Sequence, residues 1–228
     1  MSTKDLLRIG LHVHTRHSRT STVSVEDVAG FVRENAFKLA TVTDFGTTQG
    51  YRELRDLVED CLVIPGIEVR AQEGDFLVFT TDEEYLAGLP EKVASVSVLR
   101  RDAETAVIWA HPFVDQRAKT YEATSLPEVE CVVPYIDGIE IFNGTMIDLH
   151  KQQLLRTGYF QNLIRVATQM GLTMTGGSDA HEAEMMGHCF TSFSADIADT
   201  AAFVDALKCQ HAWPGYDHDF FDVAIPLG

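Results

Sequence analysis

Ile9-Gly10-Leu11-His12-Val13-His14 is the stretch on which the reading of this chain turns. Its apolar pattern predicts a first strand, and histidines two residues apart at the strand's end leave the same face. Imidazoles at that spacing can hold one metal ion, although such a pair alone is more often two ordinary polar residues. The pair does not stand alone. Asp179 and His181 repeat the spacing after Gly176-Gly177-Ser178, Glu68 follows Pro65-Gly66-Ile67, and His111 ends an apolar strand as Trp109-Ala110-His111-Pro112. Nitrogen and carboxylate donors gathered in this way suit zinc, manganese or iron. A carboxylate such as Glu68 can also bridge two ions, which a histidine does less well.

Outward from these markers, short apolar segments alternate with helical ones. Strands are expected over residues 9–14, 39–43, 62–69 around Pro65-Gly66, 76–79, 106–109, 138–142 and 172–175. Ser24 can cap a helix running to residue 37, with Asp27 at the favourable third position. Further helices are expected over 51–59, 82–87, 91–102, 149–170 and 196–208. Alternation of this kind implies an α/β fold with parallel strands covered on both faces. An open doubly wound sheet and a closed barrel share the pattern. Histidine and carboxylate residues recur at the carboxyl ends of successive strands, and a barrel converges those ends on one mouth. A barrel is therefore favoured. No internal repeat, low-complexity tract or Gly/Ser linker divides the chain, so residues 1–228 read as one domain.

Composition narrows the function classes. Of 228 residues, 45% are hydrophobic and 23% charged, a balance that excludes a disordered or fibrous chain. Asp and Glu number 34 against 18 Lys and Arg, a formal net charge of −16. Binding of long nucleic acid or an anionic membrane through a broad basic face is not expected. A small anionic substrate is compatible, because bound metal can reverse the local field. Met1-Ser2-Thr3-Lys4-Asp5 leads into no signal-type apolar stretch, and no run approaches the roughly 18 apolar residues of a membrane span. Cys61, Cys131, Cys189 and Cys209 are scattered with no CxxC pair. A cytoplasmic protein with reduced cysteines is expected, of undetermined oligomeric state.

The ordered set His12-Val13-His14-Thr15, Thr43-Asp44-Phe45, Pro65-Gly66-Ile67-Glu68, Ala110-His111-Pro112, Gly138-Ile139-Glu140-Ile141-Phe142-Asn143 and Gly177-Ser178-Asp179-Ala180-His181 resembles the polymerase and histidinol phosphatase (PHP) family of metal-dependent phosphoesterases. Each segment is weak alone, but their order is specific and spans most of the chain. The resemblance implies a distorted seven-stranded (β/α) barrel, TIM-barrel-like, with metals at the carboxyl-end mouth. It implies a first ion on His12, His14, Glu68 and Asp179, with Glu68 bridging to a second ion on His111. The usual histidine partner of that second ion is absent from Gly74-Asp75-Phe76-Leu77, leaving Asp75 as substitute ligand or as plain hairpin-turn residue. Two departures concern a third ion. Arg19 stands where the family often has aspartate, and Phe45 where it has histidine. Of the usual third-site ligands His181 alone is retained, with His17 a conceivable replacement. Two divalent ions (Zn, Mn or Fe) are therefore expected and a third is doubtful.

Other residues admit two readings each. Arg16 and Arg19 offer planar guanidinium groups for paired bonds to phosphate, or are solvated loop residues. Arg19 would serve in the space of the missing metal. His17 can give a proton to a leaving oxygen or bind phosphate. Asn143 and Glu140 orient substrate or brace the metal shell, and Glu140 is also an alternative ligand. The segment beyond residue 211 lids the mouth or packs across the base. The reaction expected is hydrolysis of a small phosphate ester, a phosphomonoester or nucleotide, by metal-activated water. Alternatives are a non-catalytic metal-binding regulatory protein on a degenerate scaffold and a metal-dependent lactone or amide hydrolase.

Overall fold

A computed structural model describes residues 7–99, 102–112, 126–155, 157–193 and 196–225. Met1–Asp5 and the part of the expected 91–102 helix at Arg100 and Arg101 lie outside them. The elements in chain order are β1 (Leu7–Ile9), α1 (Val25–Glu34), β2 (Leu39–Val42), α2 (Gln49–Leu57), β3 (Leu62–Ala71), β4 (Gly74–Thr80), α3 (Glu83–Gly88), β5 (Thr105–Ala110), α4 (Leu126–Val132), β6 (Gly138–Asn143), α5 (Gly144–Lys151), α6 (Tyr159–Met170), β7 (Thr173–Gly177), β8 (Cys189–Phe193), α7 (Thr200–Lys208), β9 (Ala212–Tyr216) and α8 (His218–Phe221). Ser24 and Asp27 form the expected reciprocal cap at the start of α1. All four cysteines are free. Among the described residues, no helix is long and apolar enough to cross a membrane.

Strands β2-β3-β4-β5-β6-β7 make an open, curled six-stranded sheet, and β1-β8-β9 make a separate three-stranded one. The α/β class stands, but the sheet is neither seven-stranded nor uniformly parallel. Strand β4 runs antiparallel to both β3 and β5, while the other neighbours are parallel. The start of β4 therefore lies at the same edge as the carboxyl ends of the rest.

The expected first strand accounts for the missing seventh. Its beginning pairs with β8 as β1, and residues 12–14 continue as extended chain across the opening between the edge strands. There Thr43 N–H donates to Val13 O at 2.9 Å, beyond β2. His14 N–H donates to Ala180 O at 3.0 Å and Asp179 N–H to His12 O at 2.8 Å, beyond β7. The histidine segment is thus fastened to both edges of the sheet.

Both sheet faces are buried, which explains the continuous apolar runs. Ile67, Val69, Phe76, Val78, Val107 and Ile139 pack outward against helices that include α6. Ile64, Leu77, Phe79, Ala106 and Ile108 pack on the other face with Phe203, Val204 and Leu207 of α7. Along β3 this second face runs Ile64, Gly66, Glu68, Arg70, by the two-residue period of a strand. The apolar floor gives way to ligating and charged side chains at one edge.

Three other expectations change. The 149–170 helix is two helices, because Asn143 caps a helix starting at Gly144 and a new one begins after Gly158, whose φ is +82°. Residues 91–93 lie extended beside β3, Arg70 N–H donating to Glu91 O and Val93 N–H to Arg70 O, so among the described residues of 91–102 a 3-10 turn at Val96–Val98 stands where a helix was expected. Strands β8 and β9 were not anticipated, since Pro214 and short length mask their periodicity. Residues 212–216 of the segment after 211 are thereby built into the second sheet.

Candidate metal centre

Two histidines set the centre's chemistry, and each is oriented from behind. Ser18 Oγ donates its one proton to Asp44 Oδ1 at 2.7 Å and accepts from Phe45 N–H at 3.1 Å. Its 3.0 Å contact with His14 Nδ1 therefore requires that nitrogen to carry the proton. Asp44 is itself held by Thr15 N–H and Thr15 Oγ1 at 2.7 and 2.6 Å. It is fully buried and spent on these bonds. Glu140, a carboxylate that only accepts, faces His12 Nδ1 at 3.3 Å. It also takes His111 N–H and Asn143 Nδ2 at 2.9 Å each. In their neutral form both histidines thus keep a lone pair on Nε2.

Those two Nε2 atoms lie 3.1 Å apart, with Glu68 Oε2 at 3.0 and 2.9 Å and Asp179 Oδ1 at 3.4 Å from each. Two lone pairs and two carboxylate oxygens crowded in a buried space call for a cation. Glu68 Oε1 is buried without a hydrogen-bond partner. It lies 3.5 Å from His111 Nε2, and Glu68, Asp75 and His111 form a second possible ligand set. The Arg70↔Asp75 register sets Asp75 on the same face as Glu68. A third set, His14, Asp179 and His181, has only His181 of its own. Phe45 and His181 both stack on His14, with ring centroids 4.5 Å away in each case. The residues fit bound divalent metal: oriented imidazoles, an unpartnered buried carboxylate oxygen, and overlapping three-ligand sets.

Backbone and charge carry the same imprint. His111 and Asp179 have φ of +26° and +51°, left-handed conformations costly for residues with a Cβ and typical of functional sites. Gly177 lets the chains meet, since a Cβ there would lie 2.5 Å from His12 Cβ. Without metal, burial by itself would lower the His12 imidazole, but the Asp179, Glu68 and Glu140 carboxylates outweigh it and raise it well above the ordinary range. Burial likewise opposes the charge on His111, which Glu68 and Asp179 nonetheless raise to about 9. Burial would raise Glu68, yet His12, His111 and His14 hold it well below the usual carboxylate range.

The structure brings His12, His14, Glu68, Asp75, His111, Asp179 and His181 together. It does not bring the loop cations to them. Ser18 takes the inward position after His17, so Arg19 points out, its side chain 88% exposed beside Glu91 at 3.8 Å. Arg16 lies half exposed near Glu26 and Glu53, and His17 Nε2 contacts Glu53 Oε2 at 3.1 Å. Asn143 is fully buried. Its side-chain oxygen caps α5 and its amide nitrogen donates to Glu140. Glu140 is in none of the ligand groups and contacts His12, His111 and Asn143 instead. The sequence reading passed over Ser18 as an orienting hydroxyl, which the Thr15-Ser18-Asp44 combination could have signalled, and Arg70, whose two-residue offset from Glu68 could have. A cavity of about 560 Å³, lined in part by Phe31, Phe37, Leu39 and Phe190, lies elsewhere and takes none of the cluster residues.

Residues 161–211 match the PHP-associated family. Comparison with curated protein sequences gives no significant match. Among solved structures, the chain resembles a two-domain protein from Bacteroides vulgatus ATCC 8482 containing a predicted PHP-like metal-dependent phosphoesterase, with a TM-score of 0.67 at 18% identity over 93% of this chain. It resembles PsfC from Pseudomonas syringae PB-5123 equally, with a TM-score of 0.67 at 18% identity over 93% of this chain and 92% of that one. The lesion-specific endonuclease PfuEndoQ from Pyrococcus furiosus aligns with a TM-score of 0.61 at 15% identity over 90% of this chain. The chain spans 65% of the first of these proteins and 56% of the endonuclease. At such identities the likeness is one of fold.

Proposed function

Starting from the PHP-domain assignment that the fold, the match over residues 161–211 and the motif order support, we propose that this chain hydrolyses a small phosphate ester, a phosphomonoester or nucleotide, with bound divalent metal. The observation that carries the reading is the pair of Nε2 lone pairs held against Glu68, whose second oxygen is buried without a partner.

In this reading His12, His14, Glu68 Oε2 and Asp179 hold one ion, and Glu68 Oε1, Asp75 and His111 hold another. Divalent zinc, manganese or iron there supplies a Lewis acid for phosphoryl oxygens and lowers the pKa of water. Glu140 and Ser18 keep the two imidazoles in the tautomer that leaves Nε2 free. Phe45 fills the side of His14 where a third ion's ligand would stand, so two ions are proposed. His181, with 30% of its side chain exposed, is the most exposed of the clustered residues and stands beside Asp179.

The test is purified protein loaded with Mn, Zn or Fe and assayed against phosphomonoesters, nucleotides, lactones and amides. Turnover of a phosphate ester that disappears on chelation is expected. Hydrolysis of lactones or amides alone would move the chain to another hydrolase class. Full metal loading with no hydrolysis would favour the non-catalytic reading, which the loss of third-site ligands at Arg19 and Phe45 recommends.

A further inference from the structure

Arg70 is the one cation set on the same strand face as Glu68, a single pleat nearer the opening. Residues two apart on a strand share a face, and both neighbours of this one are fixed. Its backbone pairs with Asp75 of β4 on one side and with the 91–93 segment on the other. The guanidinium carbon lies 4.1 Å from the centroid of the Phe45 ring, and that ring stacks on His14. A cation above an aromatic face is attracted by the ring and held flat.

The guanidinium's own bonding is incomplete. Its Nε is buried without a hydrogen-bond partner. Its nearest carboxylates are loose: Asp75 Oδ1 at 3.9 Å from Nε and Glu91 Oε1 at 3.7 Å from Nη1. Both distances exceed a hydrogen bond. Five N–H donors on a rigid strand, about one-third exposed and beside the ligand set, match a tetrahedral oxyanion with two or more free oxygens.

We propose that Arg70, seated on Phe45, binds the phosphoryl group of the substrate and supplies positive charge on the flank of His14 where third-ion ligands are missing. The ligand class is a phosphomonoester with a doubly charged phosphate. This rests on the phosphoesterase reading above and names the side chain that would anchor its substrate. Phe45 then has a role of its own: it replaces a ligand and builds the platform for a guanidinium.

Calorimetric titration of metal-saturated protein with inorganic phosphate tests this, together with metal content and steady-state kinetics on a phosphomonoester. For Arg70→Ala, phosphate affinity should fall by about 10- to 100-fold, the loss of charge-assisted hydrogen bonds. KM should rise by a comparable factor with metal content unchanged. Arg70→Lys should recover only part, since an ammonium lacks the planar fork. Arg70→Gln keeps a stem to pack on Phe45 and repeats the loss if Arg70→Ala folds poorly. Wild-type phosphate affinity in Arg70→Gln, or loss of one equivalent of metal, would overturn the proposal, the latter by showing that Arg70 acts through Asp75. If the wild type binds phosphate through Arg70 yet turns over no phosphate ester, the anchor stands and the hydrolysis reading falls. If it binds none, both fall.

Discussion

Glu140→Gln isolates the orienting shell from the ligands themselves. The carboxylate is 1% exposed and its Oε2 receives two N–H donors, from His111 and Asn143, at 2.9 Å each. A glutamine must set its carbonyl oxygen there, because its NH2 would otherwise face two donors. The NH2 is then directed at His12 Nδ1, where Glu140 Oε1 stands at 3.3 Å. It has no lone pair to offer. The only acceptor left near His12 Nδ1 is the oxygen at the Oε2 position, 3.4 Å away and already serving two donors, so the balance shifts towards His12 accepting at Nδ1 and carrying its proton on Nε2, the nitrogen that faces His14 and Glu68. Binding metal then requires reversing that tautomer against an unfavourable N–H···N–H contact. Outer-shell losses of this kind weaken metal affinity by about 10- to 100-fold, or roughly 1.4–2.8 kcal/mol. Competition with a chromophoric chelator measures the affinity, and urea unfolding shows whether the variant is folded. A folded Glu140→Gln protein with wild-type metal affinity would refute the tautomer reasoning. Glu140→Ala is less informative, because it strands three buried donors.

Elemental analysis of the saturated protein should approach two ions per chain, since the third set owns only His181; three well-bound ions would show that another group completes it. Gly177→Ala should cost about 1–3 kcal/mol by overpacking, because the new Cβ falls 2.5 Å from His12 Cβ and 2.7 Å from Glu140 Oε1; an unchanged urea midpoint would contradict that close approach. In chelated protein, His111 is raised from 6.5 to about 9, so its contribution to stability is complete below its unfolded value and lost as pH rises through about 9. Glu68 and Asp179, both held low, contribute above their unfolded values and lose that contribution as pH falls through their folded ones. Urea midpoints of the chelated protein should therefore decline from weakly acidic to alkaline pH, while metal affinity climbs over the same range as protons leave the imidazoles. A flat profile would break that linkage. Ser24→Ala should destabilise the protein by about 1 kcal/mol through loss of the α1 cap, read as a lowered melting temperature.

What the chain's order of residues determined by itself was the inventory of the centre and its place in the fold. His12 and His14, then Glu68, His111 and Asp179 with His181, each lie in or just after a strand-like run. A two-residue period tells which side chains share a face wherever the strand lies, and a parallel α/β pattern puts such ends at one edge. Tertiary structure alone decided the rest. The local pattern around residues 15–19 cannot say that Ser18 turns inward and Arg19 outward; that follows from Asp44 drawing in both Thr15 and Ser18. Sequence spacing set Glu140 among three roles, and only the fold brought His12 and His111 from distant elements to join Asn143 around its carboxylate. Arg70 was legible as a strand residue, but its cation acquired meaning when Phe45 from the loop after β2 came beneath it and Asp75 settled opposite. Chain closure differed for the same reason. Strand period specifies faces but not partners, so residues 12–14 could bridge β2 and β7 while β1 paired with β8, leaving an open six-stranded sheet where a seven-stranded ring was expected.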